Sequence, residues 1–289
     1  MMSVVMTVIL IVTWPCGTIL NSSIIAVYLS DWKKGVKLGE CDQISLSLGC
    51  TNILLQCFTT FGVASISYGL CFPLIEKVCL VVFTVLWFPV YLSFWLTAGL
   101  SICYCLRLVN LSPKFCIPLK RRLSHIVPPL LVWSVAISSI ITVPMNWTIA
   151  TDQNTTMMYY NISVNVVYLI LETAFGICLP SIVTSICIVL SLISLLRHIR
   201  RMKQNTQFGS PKLKNLIRAC RTMFLLMALN FLFFLIIFSS MVPPYSGDTI
   251  WQTVMFSCVM LNPSGQAVVL IFGNSKLLSA WSITLVPQG

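Results

Sequence analysis

Apolar residues in this chain come in long blocks, broken by short polar or basic segments. Seven such blocks lie at about 4–29, 43–65, 78–106, 124–144, 163–196, 222–242 and 249–272. A hydrocarbon core of about 30 Å is crossed by about 20 mainly apolar helical residues, and every block is long enough. The pattern predicts an all-α membrane protein, a single seven-transmembrane helix bundle over residues 1–289.

The third block carries one aromatic face. Tyr91, Trp95, Ala98, Gly99 and Ile102 recur at helical spacing, so one side of this helix alternates large rings with a small gap at Gly99. That side is a candidate pocket wall, and ordinary helix packing is the competing account of it. Arg107 ends the apolar run, and Lys114, Lys120, Arg121 and Arg122 follow, as at a helix leaving the membrane toward the cytoplasm. Among the few polar residues inside blocks, Asn21 needs a hydrogen-bond partner across the bundle. Asn52 and Gln56 share one helical face and are expected to fasten neighbouring helices. Glu172 is an acidic group within a span, which is costly and marks a functional-site candidate. It either meets a cationic or hydroxyl-bearing ligand, or is wetted near the interface or protonated and bonded to another helix.

Composition agrees with the blocks: 57% of residues are apolar and 9% charged, and the mean hydropathy is +0.93, which excludes a soluble domain. The formal charge of +11 does not point to nucleic acid, because its placement is one-sided. Lys33, Lys34 and Lys37 lie in the first loop, Arg107 to Arg122 in the third, Arg197 to Arg221 in the fifth and Lys276 in the tail, and only Lys77 falls on the other side. This asymmetry sets the N-terminus outside and the C-terminus in the cytoplasm, and the basic segments also face anionic lipid. The first block has no basic n-region and runs long for a signal peptide, so a retained helix is expected.

The segment between Pro144 and the fifth block carries three glycosylation patterns, at Asn146, Asn154 and Asn161. Asn154 stands farthest from both membrane ends. The thirteen cysteines sit mostly within the blocks as small packing residues, and Cys71 and Cys79 are a candidate pair outside. The two histidines, His125 and His198, are separated and make no metal site. No cofactor is implied.

Four ordered motifs resemble those of the type 2 taste receptors, the bitter-taste family of seven-helix G-protein-coupled receptors. They are Asn21 with Asp31-Trp32, Lys37-Leu38, Asp42 and Ile44; Trp95-Leu96, Leu100-Ser101, Tyr104, Leu106-Arg107, Asn110, Ser112 and Leu119 to Arg122; Ser194-Leu195, Arg197-His198 and Met202; and Pro263-Ser264, Leu270-Ile271, Asn274, Lys276 and Leu277. The chain is similar to a divergent member. Asn52 replaces the family's second-helix arginine, Gln266-Ala267 its His-Ser, and Asn230 its sixth-helix tyrosine. Asparagine reproduces neither the charge nor the reach of arginine. The internal polar network is therefore expected to be rebuilt, with Asn21, Asn52 and Gln266 as candidates.

The resemblance implies a plasma-membrane, multi-pass receptor for small, largely apolar bitter compounds, coupled to a heterotrimeric G protein of the gustducin and inhibitory type. By position, Trp95 matches the family's ligand-stacking tryptophan and Phe256 a seventh-helix pocket position. The expected ligand contacts are Tyr91, Trp95, Ala98, Gly99, Glu172, Gln252 and Phe256. Tyr104, Arg107, Arg121, Arg122, His198, Met202, Arg218 and Lys276 are expected to face the G protein. A vomeronasal type 1 pheromone receptor is the nearest rival reading and a transporter a more distant one; the chain has no inverted repeat and an odd helix count. No paired carboxylates or nucleophile and base lie at membrane depth, so an enzyme is not expected.

Overall fold

A computed structural model describes residues 2–67, 76–108, 123–144, 149–150, 163–164, 166–203, 211–240 and 249–285. The helices are α1 (Met2–Lys33), α2 (Glu40–Ser67), α3 (Glu76–Leu108) and α4 (Leu123–Thr142), then α5 (Val166–Thr173), α6 (Leu179–Lys203), α7 (Pro211–Ser240), α8 (Thr249–Gly273) and α9 (Ser275–Leu285). A π-helical turn, Ala174–Cys178, joins α5 to α6 within one continuous span. Among the described residues, seven spans are long and apolar enough to cross a membrane. A two-residue antiparallel pair, β1 (Ile149–Ala150) with β2 (Ser163–Val164), has the register Ile149 to Val164 and Ala150 to Ser163. Asn146, Asn154, Asn161 and Cys71 lie outside the described residues, as does the side chain of Cys79.

Lipid as solvent explains how the helices are turned. In α4 the large apolar residues Val132, Trp133, Val135 and Ile140 point outward, while Ser134, Ser138 and Thr142 are buried. Each serine quiets its hydroxyl on the carbonyl one turn back, Ser134 on Leu130 at 2.9 Å and Ser138 on Ser134 at 2.7 Å. A water-soluble helix would have the opposite arrangement. In a bilayer there is no hydrophobic gain from hiding leucine, so small and polar residues take the helix contacts.

The third span is the axis of the bundle. Of its Trp87–Arg107 window 78% is buried, against 22% for the first and fourth spans. Two main apolar clusters form around it. Toward the end where α1 begins, Leu55, Trp87, Val90, Tyr91, Phe94, Ile141, Ile177, Phe233 and Val259 pack together. Toward the other, basic end, Ile24, Tyr28, Ile44, Leu48, Leu96, Leu100, Leu226 and Leu270 form the larger cluster.

Candidate functional site

Near the N-terminal end, α3 meets the fifth span at two buried polar side chains. Tyr91 donates its hydroxyl to Glu172 Oε1, and the two residues are only 2% and 5% exposed. The contact is close because Gly176 has no side chain. A Cβ at Gly176 would stand 2.6 Å from Tyr91 Cδ1, so the ring lies directly on the backbone of the π turn. Such turns are frequent at functional sites, and this one begins two residues after Glu172. Trp87 stacks on Tyr91 with ring centroids 5.8 Å apart and planes 18° apart. Tyr168 donates to the Ile141 carbonyl and ties the fifth span to α4. An ionised carboxylate offers about four acceptor positions, and Tyr91 takes one of those on Glu172.

The rest of the expected pocket wall is distributed differently. The gap at Gly99 is filled: Leu130 of α4 approaches so near that a Cβ there would lie 2.5 Å from its Cδ2. Ala98 is buried, and Ile102 packs beside Cys105 and Cys187. The stripe from Tyr91 to Ile102 is therefore largely packing against the fourth and fifth spans. Trp95 lies outside the cluster around Tyr91; it is half-buried, and its buried Nε1 has no hydrogen-bond partner among the described residues. Phe256 is buried in α8. Gln252 falls in α8 with its side chain outside the described set. Trp87, Phe94, Phe233 and Val259, which the sequence did not single out, join Tyr91 in one apolar cluster.

Between the two ends, buried amides knit the bundle. Asn52 donates to Asn21 Oδ1 at 3.0 Å, and Asn21 donates to the Pro263 carbonyl at 3.2 Å and the Gly17 carbonyl at 2.9 Å. Gln56 reaches the carbonyls of Thr13 and Trp14 at 3.2 and 2.8 Å. Gln266 forms a second hub, donating to Asn230 Oδ1 at 2.7 Å, Asn262 Oδ1 at 3.2 Å and Ser93 Oγ at 3.0 Å. Asn230 in turn donates to Thr97 Oγ1 at 3.0 Å. The expected trio of Asn21, Asn52 and Gln266 thus falls in two separate sets, and Ser93, Thr97, Asn230 and Asn262 complete the second.

At the basic end, Lys276 pairs with Asp31 and lies 3.9 Å from Asp42, with its ammonium 5.6 Å from the Tyr28 ring centre. Asn274 donates to Tyr28 Oη at 2.9 Å and to Asp42 Oδ1 at 3.1 Å. Lys276 therefore binds the start of α9 to α1 and α2. Tyr104 packs against Ile188, Cys220 and Met223, Arg107 is exposed and Arg218 half-buried. His198 and Met202 lie in α6 with side chains outside the described set, and Arg121 and Arg122 lie outside the described residues.

The model of the taste receptor protein family matches residues 1–287. The chain belongs to the type 2 taste receptors. Taste receptor type 2 member 40 of Gallus gallus is 31% identical to it over 277 residues, covering 90% of this chain and 87% of the relative. Member 9 of Homo sapiens is 29% identical over 281 residues, covering 90% and 86%, and member 4 of Homo sapiens 28% over 275 residues, covering 90% of each.

This taste receptor is thus a multi-pass plasma-membrane protein of the bitter-taste, G-protein-coupled class and not an enzyme. The match decides against the pheromone-receptor and transporter readings. A receptor of this class takes a small-molecule ligand and a G protein. That makes the Tyr91 and Glu172 pair and the Lys276 cluster the two places of interest.

Proposed function

We propose that this receptor binds small, largely apolar bitter compounds, basic ones included, in the half of the bundle where α1 begins, and that this half faces outside. The buried Tyr91–Glu172 contact between α3 and the fifth span carries the reading, because an ionisable group at that depth serves no packing purpose. Glu172 is the acceptor for an amine or hydroxyl. Trp87, Tyr91 and Phe256, with the amide of Gln252, shape the remainder, Ala98 and Gly99 back this wall through their packing, and Trp95 supplies a buried indole N–H that has no partner among the described residues. A mostly apolar site with few polar groups suits broad recognition.

An agonist shifts the inactive-to-active equilibrium only by its differential affinity for the two states. Here it would replace or share the Tyr91–Glu172 bond and so alter how α3 sits against the π turn. The basic end, with Tyr104, Arg107, Arg121, Arg122, His198, Met202, Arg218 and Lys276, would receive a G protein of the gustducin and inhibitory type. The basic segments there also contact membrane lipid, and Asn154, with Asn146 and Asn161, would carry glycan outside.

The test is calcium release in cells expressing the receptor with a promiscuous G-protein alpha subunit, screened against a panel of bitter compounds. Glu172→Gln should weaken amine agonists about tenfold or more, since a hydrogen bond to a charged group contributes about 1.5–3 kcal/mol, and leave neutral agonists nearly unchanged. Trp95→Ala and Trp87→Ala, both at normal surface levels, separate the two tryptophans. Unchanged potency in all three variants would refute this location.

A further inference from the structure

The loop between α1 and α2 is built, not merely spanned. Val36 N donates to the Asp31 carbonyl and Gly35 N to the Trp32 carbonyl, each at 3.0 Å, and Gly35 takes a φ of 76°. This is the two-bond C-cap that a glycine in the left-handed region allows. Gln43 then holds the far side, donating to the Leu38 carbonyl at 3.2 Å. Between these ties lies a cleft of about 410 Å³ lined by Trp32, Gly35, Val36, Lys37, Leu38 and Gln43.

Its charge is set by an ion pair elsewhere. Lys276 and Asn274 draw Asp31 and Asp42 toward the start of α9, so Lys33, Lys34 and Lys37 stand exposed, and with Lys276 these four cations outnumber the carboxylates of Asp31, Glu40 and Asp42 by one. Trp32 beside them is 68% exposed. An open indole next to exposed lysines at the end of a membrane helix is the composition of a membrane interface, and the cleft adds a concave seat for a headgroup.

We propose that this cleft holds the headgroup phosphate of an anionic phospholipid, with Trp32 at the acyl boundary, Lys37 on the phosphate, and Lys33 and Lys34 supplying the attracting field. The inference rests on the reading that this end faces the cytoplasm, where the leaflet is anionic.

The experiment uses the purified full-length receptor in phosphatidylcholine nanodiscs doped with photo-crosslinking phosphatidylserine or, in a parallel arm, photo-crosslinking phosphatidylcholine. Labelling is mapped by mass spectrometry. Phosphatidylserine should label the peptide spanning residues 32–43 in preference to phosphatidylcholine, and K33Q/K34Q/K37Q should cut that labelling tenfold or more with an unchanged thermal midpoint. Trp32→Ala should reduce it too. Equal labelling by both lipids, an unchanged signal in the triple variant, or displacement by 10 mM inorganic phosphate would overturn the proposal. So would lost G-protein coupling in the triple variant with lipid labelling intact, which would make the loop a protein contact. Agonist-evoked calcium release, measured separately, shows whether the receptor reading itself stands: its loss with labelling preserved would remove the function and keep the lipid site.

Discussion

Replacing Gly176 by valine should cost this receptor most of its surface expression, and Tyr91→Ala in the same molecule should restore much of it. A Cβ at residue 176 would sit 2.6 Å from Tyr91 Cδ1 and 2.8 Å from Cε1, closer than carbon atoms approach. The ring has little room to yield. Trp87 covers it at 5.8 Å between centroids, and its hydroxyl is engaged by Glu172. Overpacking of this kind costs about 1–3 kcal/mol. Moving the ring also breaks a buried hydrogen bond to a carboxylate, worth about 1.5–3 kcal/mol more. Removing the ring removes the clash, so the two substitutions should couple strongly and with a compensating sign. The measurement is the thermal midpoint of the two single variants and the double variant, purified in the same detergent. Simple additivity would show that Gly176 is held to glycine for another reason, such as the geometry of the π turn itself.

The seven spans were legible because a bilayer imposes a length that sequence reports directly. Glu172 was legible for the same reason, since an acid in an apolar run stands out. Which way each helix face looks was much less so. In water the apolar side of a helix is the buried side, but in lipid both sides are apolar, and periodicity then identifies a stripe without saying what it meets. At Gly99 the stripe packs on α4, with Leu130 filling the gap, while Trp87, two turns nearer the N-terminal end than Trp95, stacks on Tyr91. Asn52 and Gln56 announced themselves as amides in a span, yet their acceptors are Asn21 and the backbone carbonyls of Thr13 and Trp14. Backbone acceptors carry no sequence signal. Ser93 and Thr97 were missed because hydroxyls in membrane helices usually satisfy themselves one turn back, as Ser101 does on Thr97 at 2.9 Å. Lys276 read as one of many cytoplasmic cations, and only the fold shows that it is held by Asp31 and Asp42.

Gln266→Leu should lower the thermal midpoint by roughly 5 °C, the second large effect expected. Gln266 is 0% exposed and its amide nitrogen serves Asn230, Asn262 and Ser93, while its oxygen accepts from Ser93 at 3.2 Å. The residue therefore joins α3, α7 and α8 at mid-depth. Leucine fills the volume but orphans the carbonyl oxygens of Asn230 and Asn262. A buried polar group left unsatisfied costs about 1–3 kcal/mol, but hydrogen bonds inside membranes average only about 0.6 kcal/mol because the unfolded reference also finds partners. About 2 kcal/mol in total lies between these limits, and for a chain of this size each kcal/mol corresponds to about 2–4 °C. Asn230→Leu added to Gln266→Leu is the decisive control. Replacing both partners by apolar groups of similar shape is nearly neutral where removal of one is not, so the double variant should recover part of the loss even though Thr97 loses its donor. If the double variant instead falls by the sum of the single losses, the hub is a set of independent helix contacts. Recovery would mean that these amides satisfy one another as a unit, and that the third, sixth and seventh spans are fastened by a shared set of neutral hydrogen bonds.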